Sequence, residues 1–265
     1  PSLPTRVSDA RFRPRSVALV GASARPYSVG NVLARNLTRA GFGGTLHYIN
    51  PKGGTIEGVK TRRSLDELDE PPELGVIATP PATVPGLVRS FTDLGTRAVV
   101  VITAGLGYRD RTPEGEPMDQ VLLDATQPQG TRIIGPNCVG ILAPTVRLNA
   151  SFSHLHSRPG SLAFVAQSGA IVTAVQDWAE PRGIGFSHLV SLGDMLDVDF
   201  GDMLDYLAND ARTDAILLYV EAIKHSRKFM SAARAAARMK PVVVVKGGRC
   251  EAGARAAASH TGSVT

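Results

Sequence analysis

From Ser16 onward the chain alternates short apolar runs with stretches in which apolar residues recur every three or four positions. The runs in SVALVG, TLHYINP, LGVIATP, RAVVVITAG and TRIIGPN are bounded by Gly, Pro or Asn, which marks them as buried strands. Between them VGNVLARNLTRAG, ATVPGLVRSFTDLG and EPMDQVLLDATQ carry the helical period. Gly41 closes the first, and Pro85 lies in the first turn of the second. Strands alternating with helices call for a parallel sheet, because parallel pairing needs crossovers that cover both faces. The pattern predicts a doubly wound α/β domain over residues 1–142.

Residues 143–160, within APTVRLNASFSHLHSRPGS, are rich in Ser, Pro and other polar types and read as a linker. The alternation then restarts, with strands in SLAFVAQSG, GFSHLVSLG, DAILLYVEAI and KPVVVVKGG. Helices fall in AIVTAVQDWAEPRG (broken near Pro181), DFGDMLDYLAND and SRKFMSAARAAARM. This predicts a second, smaller α/β domain of flavodoxin-like type over 161–265, with Val242–Val245 as a buried strand.

Composition narrows the partners. No run of about 18 apolar residues is present, so no membrane span is expected. PSLPTRVSDARFRPRS has no apolar core of a signal peptide, and the chain has only Cys138 and Cys250, far apart; a reducing cytoplasm is the expected compartment. The net charge is +5 with Lys and Arg scattered and aromatics sparse. That suits a small polyanion, not nucleic acid, which wants a basic face with stacking aromatics. An initial Pro and an end just after His260 give the expectation of a segment from a longer protein.

Candidate chemistry sits in the loops after the strands, where ligands of open α/β sheets bind. The first, from Gly21 through Ser23, Arg25 and Ser28 to Gly30, feeds a helix N-terminus suited to phosphate; it also reads as an ordinary turn. It lacks the G-x-G-x-x-G spacing, and Asn50-Pro51-Lys52 stands where a dinucleotide site wants an acid. Lysine there favours a phosphorylated ribose, as in coenzyme A; NADP fits less well. Thr79-Pro80-Pro81 and Thr103-Ala104-Gly105 offer a rigid wall and a close approach, though each alone reads as turn punctuation. Asn137 and Cys138 close the same edge. A free cysteine is more often a buried small hydrophobe than a nucleophile.

Later in the chain, Ser168-Gly169-Ala170 opens a helix, with Ser168 either a cap or an anion ligand. Gly193-Asp194 has the same ambiguity. Glu221 ends an otherwise apolar strand, and a carboxylate so placed can orient an imidazole. His260 lies between small residues in SHTG. His47 and His188 lie on strands, packed or half exposed, and His225 starts a helix. His154 and His156 form an H-x-H with no third ligand in view, so no metal site is expected.

Taken in order, GAS…SVG, NPKGG, TPP, GPNCVG, AQSGA, LLYVEAI and KGGRCEAGARAAASHTG resemble the NDP-forming acyl-CoA synthetases, relatives of the succinyl-CoA synthetase α subunit, over nearly the whole chain. The resemblance implies an α/β chain: a Rossmann-like CoA-binding domain followed by a flavodoxin-like, succinyl-CoA synthetase-like domain. It makes His260 the phosphorylated residue, Glu221 its carboxylate partner, and Ser168, Gly169 and Ala170 the phosphate cradle. Gly21, Ser23, Arg25, Ser28, Gly30, Asn50, Lys52, Thr79, Pro80, Pro81 and the Thr103-Ala104-Gly105 loop would line the CoA site, with Asn137 and Cys138 near the thioester. The implied reaction is reversible: acyl-CoA, phosphate and ADP give carboxylic acid, CoA and ATP through an acyl phosphate and phosphohistidine. ADP or GDP and Mg²⁺ would be held by an ATP-grasp domain or subunit not found in these residues, within a homo- or hetero-oligomer. Thr173 stands where succinyl-specific relatives carry tyrosine, which disfavours succinate. Two other readings stay open: an acyl-CoA-sensing regulatory module of a protein lysine acetyltransferase, and an NADP-dependent reductase.

Overall fold

The computed structural model describes residues 12–107, 109–127 and 129–247. Two sheets organise it. The first contains β1 (Ser16–Val20), β2 (Thr45–Ile49), β5 (Leu74–Ile77), β6 (Ala98–Val101) and β7 (Arg132–Ile134), in the order β2-β1-β5-β6-β7. Its four strand pairs are parallel, and β5 and β6 are buried along their whole length, as runs without alternation require. Helices α1 (Val29–Arg39), α2 (Val84–Asp93) and α3 (Met118–Thr126) make the crossovers. Between β2 and β5 lies a small hairpin, β3 (Thr55–Ile56) with β4 (Val59–Lys60), turning through positive φ at Glu57 (46°) and Gly58 (78°). Two successive residues of that kind make the turn that matches strand twist.

The second sheet runs β13-β12-β10-β11-β8-β9. It contains β8 (Gly140–Ala143), β9 (Leu148–Ser151), β10 (Pro159–Ala166), β11 (Phe186–Ser191), β12 (Ala215–Val220) and β13 (Val242–Lys246). Helices α4 (Gly169–Ala179), α5 (Phe200–Asn209) and α6 (Ser226–Ala237) link the parallel strands. Asp199 starts α5 with a capping box: its carboxylate accepts from Gly201 and Asp202 N–H, and Asp202 returns the bond to Asp199 N–H.

Two expectations need correction. Residues 143–160 are no simple linker, because they hold β9, buried at every position and antiparallel to β8. Its polar residues misled the reading. Asn149, Ser151 and Ser153 are buried yet satisfied: Ser151 Oγ donates to Asn149 Oδ1 (2.6 Å), and Ser153 Oγ donates to Gln176 Oε1 (2.6 Å). Conversely, Val243, Val244 and Val245 are about half exposed, on β13 at one of the sheet's two edges among the described residues.

The sheets are joined by more than one chain crossing. On α1, Asn36 Nδ2 donates to the carbonyls of Ser151 and Ser153 (2.8 Å each). The segment after β11 runs along the end of the first sheet, with Asp194, Leu196 and Val198 N–H donating to Pro136, Gly135 and Ile133 carbonyls. Asp197 takes Arg132 Nε and Ile133 N–H at 2.8–2.9 Å. The largest apolar cluster accordingly contains Leu19 and Val100 of one sheet and Val165 and Leu218 of the other. Among the described residues no helix is long and apolar enough to cross a membrane.

Candidate functional site

The first loop is shaped by its own side chains. Gly21 has φ +95°, and a Cβ at Gly30 would overlap the Gly21 carbonyl, so the chain folds back on itself here only without side chains. Ser28 caps α1: its Oγ accepts from Asn31 N–H (3.3 Å) and donates to Arg25 O (2.8 Å). Ser23 Oγ accepts from Arg25 N–H (3.0 Å). Tyr27 sits at the tip with φ 62° and is 91% exposed. Asn50 braces this loop to the next, donating from Nδ2 to Ala22 O (2.8 Å) and accepting Lys52 N–H (2.9 Å). Arg25 and Lys52 thus stand exposed on adjoining loops.

The third and fourth loops are tied together as well. Thr103 Oγ1 donates to Thr79 O (2.7 Å), Asn137 N–H donates to Thr103 O (3.0 Å), and Pro81 opens a short 3-10 turn. Ala104 lines the space these loops enclose, and Gly105 takes φ +78°. Cys138 is buried, with Sγ donating to Val101 O (3.3 Å), and burial pushes its thiol up to about 12. It is a neutral wall.

The structure brings these loops to the second sheet. A cleft of about 430 Å³ is lined by Thr79, Thr103 and Asn137 on one side and by Val139, Phe152 and Gly169 on the other. Larger depressions lie over α6, against Met230 and Arg234, away from every loop named above; size alone does not choose the site. Gly169 begins α4 so close to Val139 that a Cβ would overlap its Cγ2. Ser168 holds the cap conformation (φ −80°, ψ 126°), but its side chain makes no capping hydrogen bond; Ala170 is exposed beside it. Thr173 does not line the cleft, and its hydroxyl bonds back to Ala170 O.

Glu221 follows β12 and is half-buried. Its N–H and that of Ala222 both donate to Gln167 Oε1 (3.1 and 2.9 Å), so the residue preceding Ser168 holds the start of the Glu221 loop. Asp194 accepts from Asn137 Nδ2 (3.2 Å), and burial pushes its carboxyl up against that bond. His260 and Cys250 lie outside the described residues.

The other histidines go elsewhere. His188 is fully buried, with Nε2 3.3 Å from Tyr206 Oη and Nδ1 3.8 Å from Asp210, and burial pushes it down to about 4. His154 pairs with Asp177 (2.7 Å) and His156 with Asn149 (3.2 Å), so the H-x-H does not converge. Among the described residues no cluster of His, Cys, Asp or Glu can hold a metal ion. Sequence reasoning missed the brace made by Gln167 and the walls made by Val139 and Phe152. Phe152 had no signal, since it lies in the stretch read as a linker.

Comparison with known proteins agrees with this layout. The CoA binding domain family matches residues 15–144, and the succinyl-CoA ligase like flavodoxin domain matches residues 159–265. The α subunit of ADP-forming acetate–CoA ligase I from Pyrococcus furiosus is 38% identical over 260 residues, covering 97% of this chain and 56% of that protein. ADP-forming acetate–CoA ligase I from Archaeoglobus fulgidus is 40% identical over 253 residues, covering 96% of this chain and 36% of the relative. A solved structure of dinucleotide forming acetyl-coenzyme A synthetase 1 from Ca. Korarchaeum cryptofilum, in complex with phosphate and ADP, superposes with a TM-score of 0.89 at 35% identity, covering 97% of this chain and 55% of that one. The chain therefore spans between about a third and a little over half of these relatives' length. It belongs to the NDP-forming acyl-CoA synthetase family, as a counterpart of the CoA-binding and flavodoxin-like portion of those enzymes.

Proposed function

We propose that this chain binds CoA thioesters and carries the phosphoryl group in a reversible acyl-CoA synthetase. The observation that supports it most is the single cleft in which the loops after β5 and β6 meet the N-terminus of α4. Arg25 and Lys52 are the cations for the phosphates of CoA, and the tail reaches past Thr79 and Thr103 to Asn137. Phosphate at Ser168-Gly169-Ala170 is stabilised by the positive end of α4. It attacks the thioester carbonyl, releasing CoA as thiolate and leaving an acyl phosphate. His260, neutral and oriented by Glu221, takes the phosphoryl group and frees the carboxylate.

The phosphoryl group then passes to a nucleoside diphosphate on an ATP-grasp domain or subunit. Mg²⁺ and nucleotide are assigned to that part, as the family resemblance implies. The location proposed is the cytoplasm, on the sparse cysteines. None of the relatives named above is an acetyltransferase or a reductase, and nothing else favours those readings.

The test uses the complete enzyme with γ-labelled ATP. Acid-labile, base-stable label is expected, absent in His260→Ala and reduced at least tenfold in Glu221→Gln. Label that survives in His260→Ala would sink the reading.

A further inference from the structure

We infer that Lys246 is a positioning residue for Glu221: its ammonium fixes the backbone from which the Glu221 carboxylate is presented. The inference rests on the reading that Glu221 serves a phosphoryl-accepting histidine.

Glu221 is the first residue past β12, and the parallel ladder with β13 reaches the Val220–Lys246 pair just before it. Both peptide units that flank Glu221 are pinned. On the N–H side, Gln167 Oε1 accepts from Glu221 and from Ala222. On the carbonyl side, Lys246 Nζ donates to Glu221 O (2.8 Å) and to Gly247 O (2.6 Å). The second of these acceptors is itself fixed. Gly247 N–H donates to Val220 O (2.9 Å), and a Cβ on Gly247 would overlap the Tyr219 hydroxyl. Lys246 therefore ties the Glu221 peptide to the end of β13. With the planes on either side held, the two soft dihedrals of Glu221 have little room, and the direction of its Cα–Cβ bond is set.

A lysine suits this task. An ammonium has three donors and can serve two carbonyls at once, and charge-assisted bonds are the strong ones. Lys246 is exposed, so holding this bridge costs it rotamer freedom that a merely solvating lysine would keep. Removing the ammonium takes away the carbonyl-side hold and leaves Gln167 to hold the N–H side.

The complete enzyme with γ-labelled ATP reads the step directly. Lys246→Met is expected to slow acid-labile labelling by about tenfold or more at saturating ATP. The KM for ATP and the affinity for CoA should stay unchanged. Lys246→Arg, whose guanidinium can also donate to two carbonyls, should recover most of the rate. Because the effect passes through Glu221, adding Lys246→Met to Glu221→Gln should cost less than about threefold beyond Glu221→Gln alone. Lys246→Gln is one bond shorter and neutral; it carries the same expectation if the methionine variant does not fold. A neutral variant that melts normally and labels at the unsubstituted rate overturns the inference. So does a double variant in which the two losses multiply. No label in the unsubstituted enzyme is a different result: it removes the phosphohistidine reading, and this inference with it.

Discussion

Two helix starts, those of α1 and α4, occupy matching places after a central strand of their sheets, and they are finished differently. At α1, Ser28 closes the terminus with its own hydroxyl, and Ser23 locks the preceding turn. At α4, Ser168 has the cap conformation without the cap bond. A helix start can thus be built in two ways. One is stiffened internally and carries Arg25 exposed beside it. The other keeps its cap hydroxyl out of the helix, and that terminus is where an anion gains most.

The sharpest break between the two comes from the glycines. Gly30→Ala pushes a Cβ into the Gly21 carbonyl, a backbone atom that cannot step aside, and should cost about 3 kcal/mol, at the upper end of overpacking. Gly169→Ala meets only a valine side chain, so about 1–2 kcal/mol is expected, seen as a smaller fall in melting temperature. Phosphate-dependent turnover should nonetheless suffer more in Gly169→Ala.

The amide braces come next. Gln167→Leu strands the N–H groups of Glu221 and Ala222 and should cost about 1–3 kcal/mol, measured by urea unfolding. Asn50→Ala, whose surroundings are wetter, should cost about 1 kcal/mol. Equal losses would mean that the two loops are held alike.

The serines give the smallest effect and the cleanest one. Ser28→Ala removes a working cap and should lower stability by about 1 kcal/mol. Ser168→Ala should leave the melting temperature unchanged while weakening phosphate use. A stability loss at Ser168 matching that at Ser28 would erase the contrast between the termini.

Periodicity made most of the framework legible, because long apolar runs such as Ala98–Val101 are buried on both faces and leave no other solution. It failed where burial and polarity part company. Asn149 and Ser151 are buried because they bond to each other and to α1, a tertiary fact that composition cannot show, and Phe152 was lost with them. Val242–Val245 carries the same signal as Ala98–Val101 but lies at a sheet edge. The hairpin at Thr55–Lys60 went unread because its strands are two residues long. Locally, Gly30 and Ser28 were readable as a turn feeding a helix, and Glu221 as the end of an apolar strand. Gln167 was not readable as a brace, since its two partners lie more than 50 positions away.

The stitching of residues 194–198 to the end of the first sheet has a thermodynamic consequence for anything that enters the cleft. Three backbone bonds and the Arg132–Asp197 pair fix the separation of the two walls before any guest arrives. Little ordering is left to be done on arrival, so affinity is not eroded by closing a hinge. At the rim, by contrast, Tyr27 stands almost wholly in water. Guests that match the preset width should bind with a small entropic penalty, and mismatched ones should gain nothing by induced closure.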